Sequence, residues 1–218
     1  MDMCTGAIGT REYVFDRVDI NSEDFLREIY HQRYHVFCEE CGILKREGCS
    51  GGLEKDKFDQ HSIHFAALDR NELIGNARLV VHNPYGLPMI EHVQGNLSRE
   101  YLDLLPHQVA EVSRLLISKR FRKRGKEKIY YPLSPEGTMG SEKQAIRRAK
   151  PVIMGLSREI YHECVARGVT HTVALMEKPL WYLLRVYGLN FRPIGDEIEY
   201  HGLVKPYICE VSVMGKYV

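Results

Sequence analysis

The chain has 218 residues, 44% hydrophobic and 27% charged, with a formal net charge of +1, a composition that fits a folded α/β domain able to bury its core without disulfide or metal staples. A charge this near zero argues against a globally basic nucleic-acid binder, so any electrostatic function is local. No apolar run approaches the roughly 18 residues of a membrane span, Met1–Arg17 has no apolar signal-peptide core, and the cysteines (Cys4, Cys38, Cys41, Cys49, Cys164, Cys209) are scattered in the manner of reduced thiols in a cytoplasmic protein.

A short strand is predicted at Tyr13–Val18. Asn21 and Ser22 offer N-caps, Glu23 and Asp24 put acids in a first turn, and Phe25, Ile29, Val36 and Phe37 recur at helical spacing up to a capping Gly42. This predicts a helix from Glu23 to Cys41, followed by a charged, Gly-rich loop over 45–61. Ser62–Leu68 and Leu73–Val81 flank a polar Asp69-Arg70-Asn71-Glu72 turn and read as a β-hairpin. Residues 83–108 read as loop with a short helix near Arg99–Leu104, and Val109–Ser118 as a strand. Lys119–Lys150 is basic, then Gly/Pro/Ser-rich, and reads as a long loop or insertion. Val152–Arg167 is an amphipathic helix ending at Gly168, Val169–Met176 a strand, and Pro179 to Gly188 a second helix. Leu189–Ile194 and Tyr207–Val213 close the chain as strands. Strand, helix, strand over 109–176 implies a parallel pair joined by a crossover. The expected architecture is one α/β domain over 1–218, a mixed sheet flanked by helices, without repeat or linker.

Four segments carry charge into apolar surroundings: Arg33-Tyr34-His35-Val36-Phe37, Glu54-Lys55-Asp56-Lys57-Phe58-Asp59, Gly75-Asn76-Ala77-Arg78-Leu79 and Glu111-Val112-Ser113-Arg114. A buried charge is costly unless paired. The plain reading is a structural Arg–carboxylate cluster locking helix and loop to the sheet. In order and spacing, however, Arg33 with Phe37, Asp56 with Asp59, Arg78, and Glu111 with Arg114 resemble the acyl-homoserine-lactone synthase family and its relatives, the N-acyl amino acid synthases and the exosortase-associated acyltransferases. The resemblance runs over 25–118 and resumes over 152–213, where Gly188 and Phe191-Arg192-Pro193-Ile194-Gly195 fit.

That resemblance implies a GNAT fold in which two parallel strands splay and admit the pantetheine arm of an acyl carrier, with backbone N–H groups holding the thioester and its oxyanion. An amine must lose a proton before attacking, and Glu111 is the candidate base, directly or through water. Arg114, Arg78 and Asp59 complete the candidate catalytic set. Arg33, Phe37, Asp56, His64 and Ser113 are candidate substrate-binding residues, the arginines being suited to bidentate recognition of a carboxylate on an amino-acid acceptor. The intrinsic pKa of an imidazole lies near neutrality, so His64 offers either a further proton acceptor or a structural hydrogen bond.

The chain also departs from the pattern. Ile43 follows Gly42 where the lactone synthases carry a Trp in their S-adenosylmethionine region, which speaks against that acceptor. The GNAT pyrophosphate loop is half present in Arg122-Lys123-Arg124-Gly125-Lys126-Glu127, and Glu127 breaks it. This disfavours coenzyme A and favours acyl-phosphopantetheine on acyl carrier protein, with no tightly bound cofactor. Residues 119–128 hold seven basic residues and one acid. Lys119, Arg120, Arg122, Lys123 and Arg124 are therefore either a docking patch for an acidic carrier or a solvated basic face. His31, His35, Cys38 and Cys41 have zinc-compatible spacing, but no second pair with ligand spacing follows, and no metal is expected. The expected function is N-acylation of an amino acid or similar small amine by a long-chain acyl carrier. The alternatives are a lactone synthase using S-adenosylmethionine and a non-catalytic carrier-binding module.

Overall fold

The structure is a computed structural model that describes residues 4–7, 12–93, 95, 97–119 and 139–218. Of the candidate docking residues, Lys119 is exposed; Arg120, Arg122, Lys123 and Arg124 lie outside the described residues.

In chain order the elements are β1 (Cys4–Ala7), β2 (Glu12–Arg17), α1 (Glu23–Tyr34), β3 (Ser62–Asp69), β4 (Glu72–Val80), α2 (Pro88–His92), α3 (Arg99–Leu102), β5 (Val109–Ile117), α4 (Met139–Ala166), β6 (His171–Met176), α5 (Lys178–Val186), β7 (Arg192–Pro193), β8 (Ile198–Glu199), β9 (Leu203–Glu210) and α6 (Val211–Met214). The hydrogen-bonded strand order is β1-β2-β3-β4-β5-β6-β9-β7, with β8 on β9. The chain divides into two compact units, Met1–Lys55 with His64–Ala77 and Arg114–Glu159, and Asp56–Ile63 with Arg78–Ser113 and Ile160–Val218. No described helix is long and apolar enough to cross a membrane.

In the first unit β2 pairs antiparallel with β3, Tyr13 opposite Asp69 and Arg17 opposite Phe65. The polar turn after β3 puts Arg70 and Asn71 at φ 51° and 67°, the left-handed pair of a type I′ hairpin. α1 buries Leu26 and Ile29 against Val18, Ala66 and Leu73. Ser22 stands at its N-cap without a side-chain cap bond, and Glu23 and Asp24 fill the first turn. The helical run predicted to Cys41 continues past Tyr34 as a π-helical turn, His35–Glu40, in which the Cys41 N–H bonds the Val36 carbonyl at 2.9 Å. Such wide turns are frequent at functional sites. Gly75 allows β4 to approach β5: a Cβ there would meet the Leu116 carbonyl oxygen at 2.9 Å.

In the second unit Phe58, Val80, Leu87, Met89, Val109, Val173, Ile194 and Ile208 form the core. β6 pairs antiparallel with β9 along its whole length, His171 opposite Glu210 through Met176 opposite Lys205. β5 and β6 run parallel but pair only at Val109–His171, Ala110–Thr172 and Glu111–Val173, although β6 continues to Met176. Pairing therefore stops at Glu111, and the expected splayed parallel pair is present.

Three expectations are corrected. The segment 139–150, read as loop, belongs to α4, which runs through Pro151; proline removes one helical N–H bond and normally marks a boundary, but Val152, Ile153 and Leu156 are fully buried and their packing carries the helix. Of Leu189–Ile194 only Arg192–Pro193 is strand. The final strand begins at Leu203, running through Pro206, and ends at Glu210, after which Val211–Met214 is helical. A proline in a strand demotes it on sequence grounds, yet Pro206 pairs opposite Leu175 with its carbonyl accepting the Ile194 N–H.

Candidate active site

The sequence-predicted residues fall into two hydrogen-bonded clusters, one in each unit. In the first, Arg114 lies in β5 with φ 53°, a left-handed conformation that costs an L-residue roughly 1–2 kcal/mol. Its guanidinium binds Glu54 in bidentate fashion: Nε donates to Oε1 and Oε2 at 3.0 and 3.1 Å, and Nη2 to Oε1 at 2.7 Å. The Phe37 ring from the π turn lies 6.0 Å from the same guanidinium, within cation–π range. Glu54 is itself tied to α1, its N–H bonding the Tyr30 carbonyl at 3.0 Å.

Arg33 continues the chain. Fully buried at 0% exposure, it approaches Glu54 Oε2 at 4.0 Å through Nη1, Asn76 Oδ1 at 3.5 Å through Nε, and His64 Nδ1 at 3.0 Å through Nη2. A guanidinium only donates, so His64 Nδ1 is the acceptor and the neutral ring carries its proton on Nε2. The buried His64 thus lies directly against a permanent cation. Asn76 donates to Gln32 Oε1 at 2.7 Å, and Gln32 donates to the Leu73 carbonyl at 2.8 Å, so the polar network ends on the sheet.

In the second unit Arg78, also 0% exposed, donates from Nε to Ser113 Oγ at 3.0 Å. Its Nη1 donates to Asp56 Oδ1 at 2.7 Å and to Asp59 Oδ1 at 3.0 Å. Its Nη2 is buried without a hydrogen-bond partner. The loop is closed upon itself as an Asx turn: Asp59 Oδ2 accepts the Asp56 N–H at 2.7 Å and Asp56 Oδ1 the Phe58 N–H at 2.9 Å. Phe58 plugs this loop into the unit's core. Lys57 stays outside, ion-paired with Glu91.

Glu111 occupies the last paired position of the parallel strands. Buried at 3% exposure, its Oε2 accepts the Met89 N–H at 2.7 Å, a donor from the first turn of α2. Nearby Tyr101 titrates above the ordinary range, through burial and then through the Glu111 charge. A buried carboxylate can act as a general base where a substrate proton comes within hydrogen-bond reach.

Residues 32–130 match the family model described as an acetyltransferase (GNAT) domain. The chain has the GNAT fold. Solved structures with this fold include the coenzyme-A-dependent acyl-homoserine lactone synthase BjaI with S-adenosylmethionine and isopentyl-coenzyme A (TM-score 0.64, 16% identity, 94% of this chain and 87% of that one). The acyl-homoserine-lactone synthase LasI follows at TM-score 0.60 and 14% identity, covering 91% of this chain and 89% of that one. FeeM, an N-acyl amino acid synthase from uncultured soil microbes, has TM-score 0.56 and 12% identity and covers 96% of both chains. No curated protein matches the sequence. At these identities the likeness is one of GNAT fold.

The sequence reading missed Glu54 as a site residue, although it opens the quoted acidic loop, and missed Asn76, Gln32 and the Met89 backbone. Asn76 stands in a fully buried run of β4, the signal that could have marked it. The zinc-spaced His31, His35, Cys38 and Cys41 do not converge: exposed His35 pairs with Glu39 and Glu40, and buried Cys38 faces Cys49. Glu100, His171 and Glu210 do bring ligand atoms within 4.8 Å of one another. Arg192 already bonds both carboxylates, which raise its pKa.

Proposed function

We propose that the protein is a cytoplasmic N-acyltransferase that moves a long-chain acyl group from acyl carrier protein to the amine of an amino acid or similar small amine, without a tightly bound cofactor. The observation that carries this reading is Glu111, a buried carboxylate at the last paired register of a splaying parallel pair. Glu111 takes a proton from the acceptor ammonium, directly or through water. The freed nitrogen attacks the thioester carbonyl and, now cationic, gives up a second proton; the C–S bond breaks, and the thiolate leaves with the electron pair and takes up a proton. The products are an amide and the carrier thiol. Backbone N–H groups of the strand beyond Glu111 hold the oxyanion.

The arginines divide the remaining work. Arg114 keeps 21% of its side chain exposed, with Phe37 against its guanidinium, and is the arginine of the first unit suited to a carboxylate ligand. Arg33 and Arg78, fully buried, are positioning residues. Arg33 orders Glu54 and His64; Arg78 orders Asp56, Asp59 and Ser113. Lys119 begins the basic run that the acidic carrier docks against.

Incubation with long-chain acyl carrier protein, mixed amino acids and S-adenosylmethionine, read by mass spectrometry, tests the reading. An N-acyl amino acid is expected. An acyl-homoserine lactone would replace the acceptor, activity only with acyl-coenzyme A would replace the donor, and a stable carrier complex without product would favour a binding module.

A further inference from the structure

Cys38 and Cys49 face each other with Sγ atoms 3.5 Å apart, one thiol hydrogen-bonding the other. They come from different pieces of backbone. Cys38 sits buried in the π turn, and Cys49 lies half-buried between two 3₁₀ turns, Arg46–Gly48 and Ser50–Gly52. The segment between them leaves the π turn at Gly42 and returns toward Glu54. Gly42, Gly51 and Gly52, all at positive φ, make those reversals possible. Cys164 and Cys209, by contrast, are fully buried.

We propose that Cys38 and Cys49 are a redox-labile dithiol that closes reversibly into a disulfide, fastening the 42–53 loop to the π turn. The oxidant is a small dialkyl disulfide such as oxidised glutathione. Cys49, the more exposed sulfur, attacks as the thiolate: its sulfur bonds one glutathione sulfur, the glutathione S–S bond breaks, and the first glutathione leaves with the electron pair. Cys38 then gives up its proton and attacks the Cys49 sulfur, expelling the second glutathione. Two protein thiols are oxidised and one glutathione disulfide is reduced to two thiols. Burial, the Cys49 contact and the Glu54 charge push the Cys38 thiol up to about 12, against the opposing Arg46. Cys38 therefore resolves the mixed disulfide rather than initiating exchange. The pair brackets functional geometry, since Phe37 on Arg114 precedes Cys38 and Glu54 follows Cys49 on the same loop.

The test needs no acyl substrate. Wild-type protein is held with oxidised glutathione, remaining thiols are alkylated, and tryptic peptides are mapped with fragmentation. The expected product joins peptide 34–45 to peptide 47–55 through Cys38 and Cys49, is reversed by dithiothreitol, persists in Cys41→Ser, and is lost in Cys49→Ser. A bridge through Cys41, glutathione retained on Cys49 without a bridge, or alkylation of both thiols overturns the proposal. The wild-type map alone decides the matter should a variant fail to fold.

Discussion

Arg114 and Glu54 are joined by three hydrogen bonds of 2.7–3.1 Å although Arg114 holds a left-handed backbone at φ 53°. The strained residue is kept because its side chain neutralises a carboxylate that is only 5% exposed. Two contributions can therefore be separated. Arg114→Ala keeps the strain and strips Glu54 of its bidentate partner, a loss expected to cost about 3 kcal/mol. Arg114→Gly strips the same partner but relieves the backbone, and should be about 1 kcal/mol more stable than Arg114→Ala. Urea unfolding of both variants checks the order; equal stabilities would show that the backbone carries no strain.

Glu111→Gln should lower kcat/KM by roughly 10²–10⁴-fold, the range for removal of a general base. The fold should remain, because the Gln amide oxygen can still accept the Met89 N–H. Glu111→Ala loses that acceptor as well and should unfold at lower urea. Turnover measured beside the unfolding midpoint separates the roles: loss of fold in Glu111→Gln would make Glu111 a structural residue.

Much of this was legible in sequence, and the exceptions have physical reasons. The hairpin of β3 and β4 was readable from the Arg70-Asn71 turn chemistry, and the strand carrying Glu111 and Arg114 from its apolar run. Two element boundaries differ beside prolines, Pro151 within α4 and Pro206 within β9, where tertiary packing overrides a local preference. Arg78 and Asp59 were recognisable together, while the partners of Arg114 and Glu111 were not. Glu54 is sixty residues before Arg114, and Glu111 bonds a main-chain N–H, which has no sequence signature.

Arg78 gathers two carboxylates on one nitrogen, Asp56 at 2.7 Å and Asp59 at 3.0 Å from Nη1. Arg78→Ala takes the guanidinium away from the buried Asp59 carboxylate and should cost about 3–5 kcal/mol, the usual range for a broken buried pair. Lysine offers a point charge without the fork that also reaches Ser113, so Arg78→Lys should recover part of the stability and little of the activity. Denaturant midpoints and acyl-transfer rates on the same samples test this; full recovery of activity by lysine would remove the geometric role.

The last expectation concerns alkaline pH. Burial raises Cys164 to about 12 and Cys209 to about 11, and raises Tyr187, Tyr207 and Tyr101, the last two with further help from Glu197 and Glu111. Each is an acid whose neutral form the folded state prefers. Where pH lies between the unfolded and folded values, the native chain holds more protons than the unfolded chain, so stability falls as pH rises. Their contribution is complete below about pH 9, the ordinary thiol value, and is lost progressively as pH rises through the folded values. Cys164→Ala removes one titrating group, so its decline above pH 9 should be shallower than that of the wild type, even though the smaller side chain lowers stability at neutral pH. Unfolding midpoints measured from pH 7 to 11 decide it: parallel curves for the two proteins would mean that Cys164 does not titrate differently in the folded and unfolded states.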